Sequence, residues 1–437
     1  MWSVSAAAQQ SSSEKPVLRS VEEALNAIRD NYVTPVTDAV LVAGCKTGLS
    51  AQLAQESLPA KLPEVPSSGG APAIEQIRDV MVEIKTRRLR EFDERKMVDA
   101  CLRAMVANLD RRSAYIDAEE FRDLQSRNDP PFGWVGLELK VENEFPTVVT
   151  ALDGTPASRS DLAAGDVIVN VDDLSTKGML LSEVMRHLRG KPKSTVVLTI
   201  RRPGASEPIQ RQLTREVVRL RTVTSTTTQE GYLHIRLTRL HDETIEQLVH
   251  TLKDAYDDGS KSVPGMIVDL RDNPGGLLYT AVAVVAVFLP GPELVVEYKG
   301  RTADQSKRMH AVPSDYGWYR HDPLKDLPEA VKKVPLVVIV NVRSAAGAEI
   351  VAAALQDHGR ARVVGERTSG TGTMQRFIPG EQAALRLTVA KFYRPSGEPI
   401  DGNPVTPDIR LSAVEASRPV GSAEDVALQR ARALLSR

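Results

Sequence analysis

Aromatic residues are scarce: Phe, Tyr and Trp make up 4% of the 437 residues. Proteins that stack bases use aromatic platforms, and proteins that track phosphates carry an excess of cations. Here Lys and Arg number 56 against 57 Asp and Glu, for a net charge of −1. No electrostatic case remains for nucleic acid or an anionic membrane. Cysteines number two, Cys45 and Cys101, with no CxxC spacing and no histidine close by in sequence, which argues against a zinc site. Both fall in apolar, helix-like stretches and read as buried structural thiols; whether they pair is left open. The histidines are scattered without metal-ligand spacing, so no metal and no cofactor is expected. The longest apolar run, Leu277 to Leu289, is too short to span a bilayer.

What is present is a chain long enough for two to four domains, with 42% hydrophobic residues to fill their cores. Residues 1–19 read as a disordered tail or the remnant of a trimmed secretory signal, because Ser5-Ala6-Ala7-Ala8 has the small residues of a cleavage site. Residues 20–129 look helical. Leu41, Cys45, Leu49 and Leu53 recur every four residues, as do Met97, Cys101, Met105 and Leu109. The two stretches resemble each other with their cysteines aligned. Between them, 57–73 is a linker rich in Pro, Ser and Gly.

From residue 130 the period changes. Val196, Leu198 and Ile200 alternate with Thr195, Val197 and Thr199, and short strands plus one helix (Leu181, Val184, Met185, Leu188) predict a β-rich module over 130–215. Over 216–437, the apolar runs GMIVDL, PLVVIVN and ARVVGE alternate with helices. Strands apolar on both faces predict a sheet covered on both sides. A final helix is expected near SAEDVALQRARALL, with Ser422 as its cap.

Several runs carry a family resemblance. FGWVGLELK (132–140), GTPA (154–157), LAAGDVIVNVDD (162–173), HLRGKP (187–192) and TVVLTIRRPG (195–204) resemble, in order, a bacterial PDZ domain. The resemblance implies that Gly133, Trp134, Val135, Gly136 and Leu137 form a loop whose amides hold a terminal carboxylate, beside a strand edge that pairs with the peptide. ANLDRRSAYIDAEEFRDLQ (107–125), VDLRDNPGGLL (268–278), the run 337–375 and FYRPSGEPIDGNPVTPDI (392–409) resemble the carboxyl-terminal processing peptidases, or tail-specific proteases. That implies an α/β core of the crotonase/ClpP-like type, with an inserted β-rich PDZ domain and a helical N-terminal region.

The family uses a serine–lysine dyad, in which a neutral lysine takes the serine proton and backbone amides hold the oxyanion. Matched residue by residue, Ala346 takes the nucleophile position and Thr371 the lysine position. Gln375 matches a supporting glutamine, and Gly276 and Gly347 match the oxyanion hole. A methyl group cannot attack a carbonyl, and a threonine hydroxyl is no base near neutral pH. Ala348, Ser369 and Arg343 depart from the pattern as well. The expectation is a pseudoprotease that binds protein C-termini or unfolded peptides as scaffold, adaptor or regulator. It is expected to be a periplasmic homo-oligomer that engages an active protease relative or an adaptor protein. Two alternatives stay open: an active serine endopeptidase with Ser344 as displaced nucleophile, or an active enzyme inactivated by engineering. Ser344 is read first as a helix cap. Asp269, Asp272 and Glu366 read as turn and strand-end residues, and His358 lies too far along its helix to act on Ser344.

Overall fold

A computed structural model describes residues 15–56, 62, 72–87, 93–121, 133–151, 155–179, 181–205, 207–217, 221–257, 263–317, 322–380, 383–416, 418 and 420–436. The expected tail up to residue 14, most of the linker 57–73, Phe132 and Gly154 lie outside the described residues. The chain forms two compact units. One comprises Met1–Ile116 with Arg221–Arg437; the other is Asp117–Leu220.

The first unit begins with four helices: α1 (Lys15–Asn31), α2 (Asp38–Gln55), α3 (Ala73–Arg87) and α4 (Glu94–Ala107). Asp93 caps α4 by accepting the amides of Arg95 and Lys96. The four-residue period did mark buried faces: Leu41, Leu49 and Leu53 of α2 and Met97 and Met105 of α4 are buried. The cysteines are not free thiols, however. Cys45 and Cys101 form a disulfide where α2 crosses α4. The sequence could not show this pairing because it depends on how closely the helices approach. A Cβ on Gly48 would lie 2.1 Å from the Ala100 carbonyl oxygen, so glycine is what permits the contact. A short strand follows, β1 (Ala114–Ile116).

The second unit holds β2 (Leu137–Glu142), β3 (Phe145–Ala151), β4 (Val167–Val171), β5 (Leu174–Ser175), α5 (Leu181–Leu188), β6 (Thr195–Arg201) and β7 (Ile209–Thr214). Its antiparallel sheet has the order β2-β3-β4-β6-β7, with β5 on β4. Val196, Leu198 and Ile200 point inward, as their alternation predicts, and pack with Val184 and Leu188 of α5. The Arg215 guanidinium ties α5 to β6 through the carbonyls of His187 (2.8 Å), Leu188 (3.2 Å) and Thr195 (2.5 Å).

The first unit resumes with β8 (Val223–Thr227), β9 (Leu233–Leu237), α6 (Thr244–Asp257), β10 (Met266–Asp269), α7 (Leu278–Phe288), β11 (Leu294–Gly300), β12 (Lys307–His310), β13 (Leu336–Val340), α8 (Gly347–Asp357), β14 (Arg362–Gly365), β15 (Thr373–Pro379), β16 (Ala384–Tyr393), β17 (Ile409–Arg410) and α9 (Val426–Leu435). Six strands run in the order β17-β14-β13-β10-β9-β8, parallel from β17 to β9. Both faces are covered, as the apolar strands predict. Met266, Val268, Leu336 and Val338 pack with α7 and α8. Ile267, Val337 and Ile339 pack with Ala427 and Ala431 of α9. The cap of α9 is Asp425, which accepts the Leu428 amide, and not Ser422. A second sheet, β1-β16-β11-β12 with β15 on β16, joins the N-terminal helices through Leu385, Leu387 and Val389. The carboxyl ends of β10 and β13, where parallel sheets place their ligands, lead into the two turns that build the site.

Candidate functional site

The turn after β13 runs Asn341-Val342-Arg343-Ser344-Ala345-Ala346 and enters α8 at Gly347. Ala346 has φ +50° and ψ −114°. Glycine adopts such a backbone freely, whereas a residue with a Cβ pays roughly 1–3 kcal/mol. The surroundings impose it. The Ala345 amide donates to the Asn273 carbonyl (2.9 Å), and the Ala346 amide donates to Glu349 Oε2 (3.0 Å). Thus Glu349, reaching back from the first turn of α8, caps the helix.

Ser344 does not cap it. Its side chain is fully buried, and Oγ donates to the Leu270 carbonyl (2.8 Å) while accepting the Asn341 amide (2.9 Å). This corrects the capping role read from the sequence. The hydroxyl is directed toward the end of β10, so it is committed to joining the two turns.

The glycine turn after β10 touches this corner directly. Asn273 Oδ1 accepts the Gly275 amide (2.8 Å), and its Nδ2 donates to the Leu237 carbonyl (2.8 Å). Gly275 and Gly276 have φ of +88° and +145°. A Cβ at Gly275 would lie 2.6 Å from the Gly347 nitrogen and 2.9 Å from the Ala346 methyl. One at Gly276 would lie 1.9 Å from the Leu240 carbonyl oxygen. Leu240 brackets the turn by accepting the Leu277 amide (2.9 Å) and donating to the Gly275 carbonyl (3.0 Å). Among the described residues, the amides of Gly276 and Gly347 donate to no protein acceptor.

Glu349 joins the third piece. Its carboxylate is buried and takes four donors. Oε1 accepts Thr368 Oγ1 and the Gly370 amide (2.7 Å); Oε2 accepts the amides of Ala346 (3.0 Å) and Thr371 (2.7 Å). Burial holds its pKa above the ordinary glutamate value, against four hydrogen bonds that favour the anion. A single oxygen therefore binds the backbone of both positions singled out in the sequence, 346 and 371, at about hydrogen-bond distance.

Around Thr371 the side chains are hydroxyls and a guanidinium. Thr371 Oγ1 shares a hydrogen bond with Ser369 Oγ (2.7 Å) and accepts Arg112 Nη2 (3.0 Å). Arg112 Nη1 reaches Thr373 Oγ1 (3.0 Å) and Asp401 Oδ1 (3.1 Å). Sequence reasoning missed Arg112. It lies inside the quoted 107–125 run, but it carries no periodic signal. Gln375 is on β15, and its amide donates to the hydroxyls of Thr373 (2.9 Å) and Thr388 (3.2 Å) and not to Thr371. The side chains at 346, 369, 371 and 112 are thus a methyl group, two hydroxyls and a guanidinium that stays protonated.

Asp269 and Asp272 are engaged in ion pairs and hydrogen bonds. Asp269 is buried among Arg271 (2.6 Å), His234 (3.2 Å) and Arg236 (3.7 Å); burial alone would raise its pKa, but His234 and Arg271 hold it below the carboxylate range. Asp272, at φ +62°, accepts from Asn341 Nδ2 (2.8 Å) and Arg343 Nε (2.7 Å). His358 ends α8 with Nε2 2.7 Å from the Leu294 carbonyl oxygen. Among the described residues, no three His, Cys, Asp or Glu side chains gather into a metal-binding group.

The second unit corrects one further expectation. The loop from Gly133 to Leu137 does not keep all its amides free. Gly133 donates to Gly190 (2.6 Å), and Trp134 donates to Glu216 (2.8 Å). These pairings could not be read locally because their partners lie on distant turns. Val135 is buried, and Gly136 has φ +82°, where a Cβ would meet Thr155 at 2.2 Å. That leaves Val135, Gly136 and Leu137 as the loop's candidate donors. Among the described residues, β2 is an edge strand beside α5.

With the geometry in place, comparison with known proteins gives a consistent result. Peptidase family S41 matches residues 230–411. A carboxy-terminal-processing protease of Bartonella bacilliformis is 34% identical over 334 residues, 76% of this chain and 73% of that one. The carboxy-terminal processing protease CtpA of Bacillus subtilis is 28% identical over 370 residues, 83% of this chain and 72% of that one. In fold, the chain is similar to the photosystem II D1 C-terminal processing protease, with a TM-score of 0.51 at 23% identity over 94% of this chain and 97% of that one.

Proposed function

Because the chain belongs to peptidase family S41, among the carboxy-terminal-processing proteases, we propose that it recognises protein C-termini or extended peptides and does not cut them. One observation carries the reading. Positions 346 and 371 meet on a single oxygen of Glu349, and their side chains are a methyl and a hydroxyl beside Arg112. The shape of a nucleophile corner is kept, and its reagents are absent. Ser344 is no substitute, because turning it outward would break two buried hydrogen bonds.

Under this reading the second unit is the PDZ domain, and it supplies recognition. The amides of Val135, Gly136 and Leu137 receive a terminal carboxylate, and the open edge of β2 pairs with the peptide. The protein then acts as a scaffold, an adaptor or a regulator of an active relative, as a homo-oligomer. An extracytoplasmic setting is part of the proposal, and the Cys45–Cys101 disulfide supports it, since such bonds persist in oxidising compartments.

The test is paired. The purified chain is titrated calorimetrically with peptides ending in a free carboxylate and with their amidated counterparts, and it is incubated with an unfolded protein whose fragments are read by mass spectrometry. Binding that requires the free carboxylate, without fragments, is the expected result. Specific cleavage that persists in clean protein refutes the loss of chemistry; no binding to any free-carboxylate library refutes the recognition role.

A further inference from the structure

We infer that Arg112 is the positioning residue of the vacated site: it clamps the 369–373 loop and occupies, as a permanent cation, the space of the missing base. This rests on the reading that Thr371 stands at the family's lysine position. The geometry around Arg112 is independent of that reading.

Three observations support the assignment. The first is complementarity. The guanidinium donates to both loop hydroxyls that face it, Thr371 Oγ1 and Thr373 Oγ1 at 3.0 Å each. Asp401 balances its charge at 3.1 Å, and Lys391 stands 3.4 Å from the same carboxylate. The second is support. The arm that presents Arg112 is fixed to the second sheet. Asp110 Oδ1 accepts the amides of Arg112 (2.7 Å) and Ser113 (2.8 Å), and Ser113 Oγ accepts the Thr388 amide (3.1 Å). The Arg112 carbonyl accepts Arg386 Nε (3.0 Å), and β1 pairs with β16 immediately afterwards. The third is occupancy. Of the staggered positions open to a γ atom at 371, the one that Thr371 Oγ1 now holds lies within hydrogen-bond distance of Nη2. An amine placed there would be crowded by the guanidinium and would share its sign of charge. The departure at 371 is therefore an exchange: a hydroxyl that accepts from Arg112 replaces an amine that Arg112 would oppose.

Two experiments on the full chain test this. Hydrogen exchange at the amides of Gly370 and Thr371 is measured in the parent, R112A and R112K. R112A is expected to speed exchange at these two sites at least tenfold and to leave Val338 and Val363 unchanged. R112K, which restores the charge without the fork, is expected to recover only part of the protection. Unchanged exchange at Gly370 and Thr371, or equal acceleration at Val338 and Val363, overturns the clamp. Next, A346S/T371K is compared with A346S/T371K/R112A by labelling with a fluorophosphonate serine probe. At least tenfold faster labelling in the triple variant is expected. Equal rates, zero included, or slower labelling overturn the claim that Arg112 holds the base position. Cleavage of peptides by the unaltered chain would sink the proposed function and leave the exchange result standing, so the two failures are distinguishable.

Discussion

Replacing Glu349 by glutamine is the sharpest perturbation of the site, because it changes chemistry at constant shape. The carboxylate is an acceptor on both oxygens and receives four donors, three of them backbone amides. Glutamine keeps one oxygen, so one donor pair must face an NH2 group. The Oε1 side is the less costly choice. There the Thr368 hydroxyl, which already accepts the Val405 amide (2.8 Å), can turn and accept from the NH2 group as well, which leaves the Gly370 amide and the Thr368 proton without an acceptor. A buried, unpaired donor costs about 1–3 kcal/mol. The bonds on Oε2 survive but lose their charge assistance, roughly half of their strength. Relief from burying an anion returns part of this. The net expectation for E349Q is a loss of about 2–3 kcal/mol, with E349A worse because three backbone amides lose their acceptor. Urea unfolding, read by hydrogen-exchange mass spectrometry on residues 337–357, isolates the first unit. If E349Q falls within about 0.5 kcal/mol of the parent, the range of an ordinary surface change, Glu349 is not what joins the corner to the 368–372 loop.

Three further outcomes follow from the same reasoning. Removing the disulfide in C45A/C101A opens a loop spanning a separation of 56 residues, worth about 4 kcal/mol by chain entropy; a loss below about 1 kcal/mol in urea unfolding would count against it. A346G should stabilise the first unit by about 1 kcal/mol, since relieved strain outweighs glycine's added chain entropy, and a lower midpoint in the same unfolding assay would contradict the strain. D425N should cost about 2–3 kcal/mol, less than a fully orphaned buried charge, because Arg271 keeps Asp269 and asparagine still caps α9. Arg271 and backbone amides hold the Asp425 pKa below its ordinary value. Its contribution is therefore complete above about pH 4 and is lost as pH falls through the folded value; a gap between parent and D425N that widens in acid would refute the pairing.

Much of the core was legible because it is apolar in runs. GMIVDL, PLVVIVN and ARVVGE have no polar face, and each became a strand covered on both sides. The helical faces around Cys45 and Cys101 showed in their four-residue period, but the disulfide did not, because period says nothing about which helices cross. The corner itself was legible as a strand-to-helix turn of small residues. What its side chains do was decided by residues far away in sequence. Ser344 looks like a cap until Leu270, 74 residues away, claims its hydroxyl. Thr371 looks like a bare deletion until Arg112, 259 residues away, is seen to bond it. In the α9 cap, Ser422 and Asp425 both fit the local pattern, and Asp425 is chosen because it also pairs with Arg271.

The shape of the corner has a physical basis. Ala346 is held at φ +50° by contacts that need no side-chain oxygen: the Asn273 carbonyl accepts the Ala345 amide, and the Glu349 carboxylate accepts the Ala346 amide. Each belongs to the packing of two turns on one sheet. The geometry at position 346 therefore does not depend on an oxygen in its side chain, and neither does its cost of roughly 1–3 kcal/mol. Under the proposed reading, a serine placed at 346 would find its backbone already set, and a lysine placed at 371 would start beside the Arg112 guanidinium. A fixed corner that carries a methyl at 346 and a hydroxyl at 371 is what the proposed reading, recognition of peptide ends without cleavage, requires.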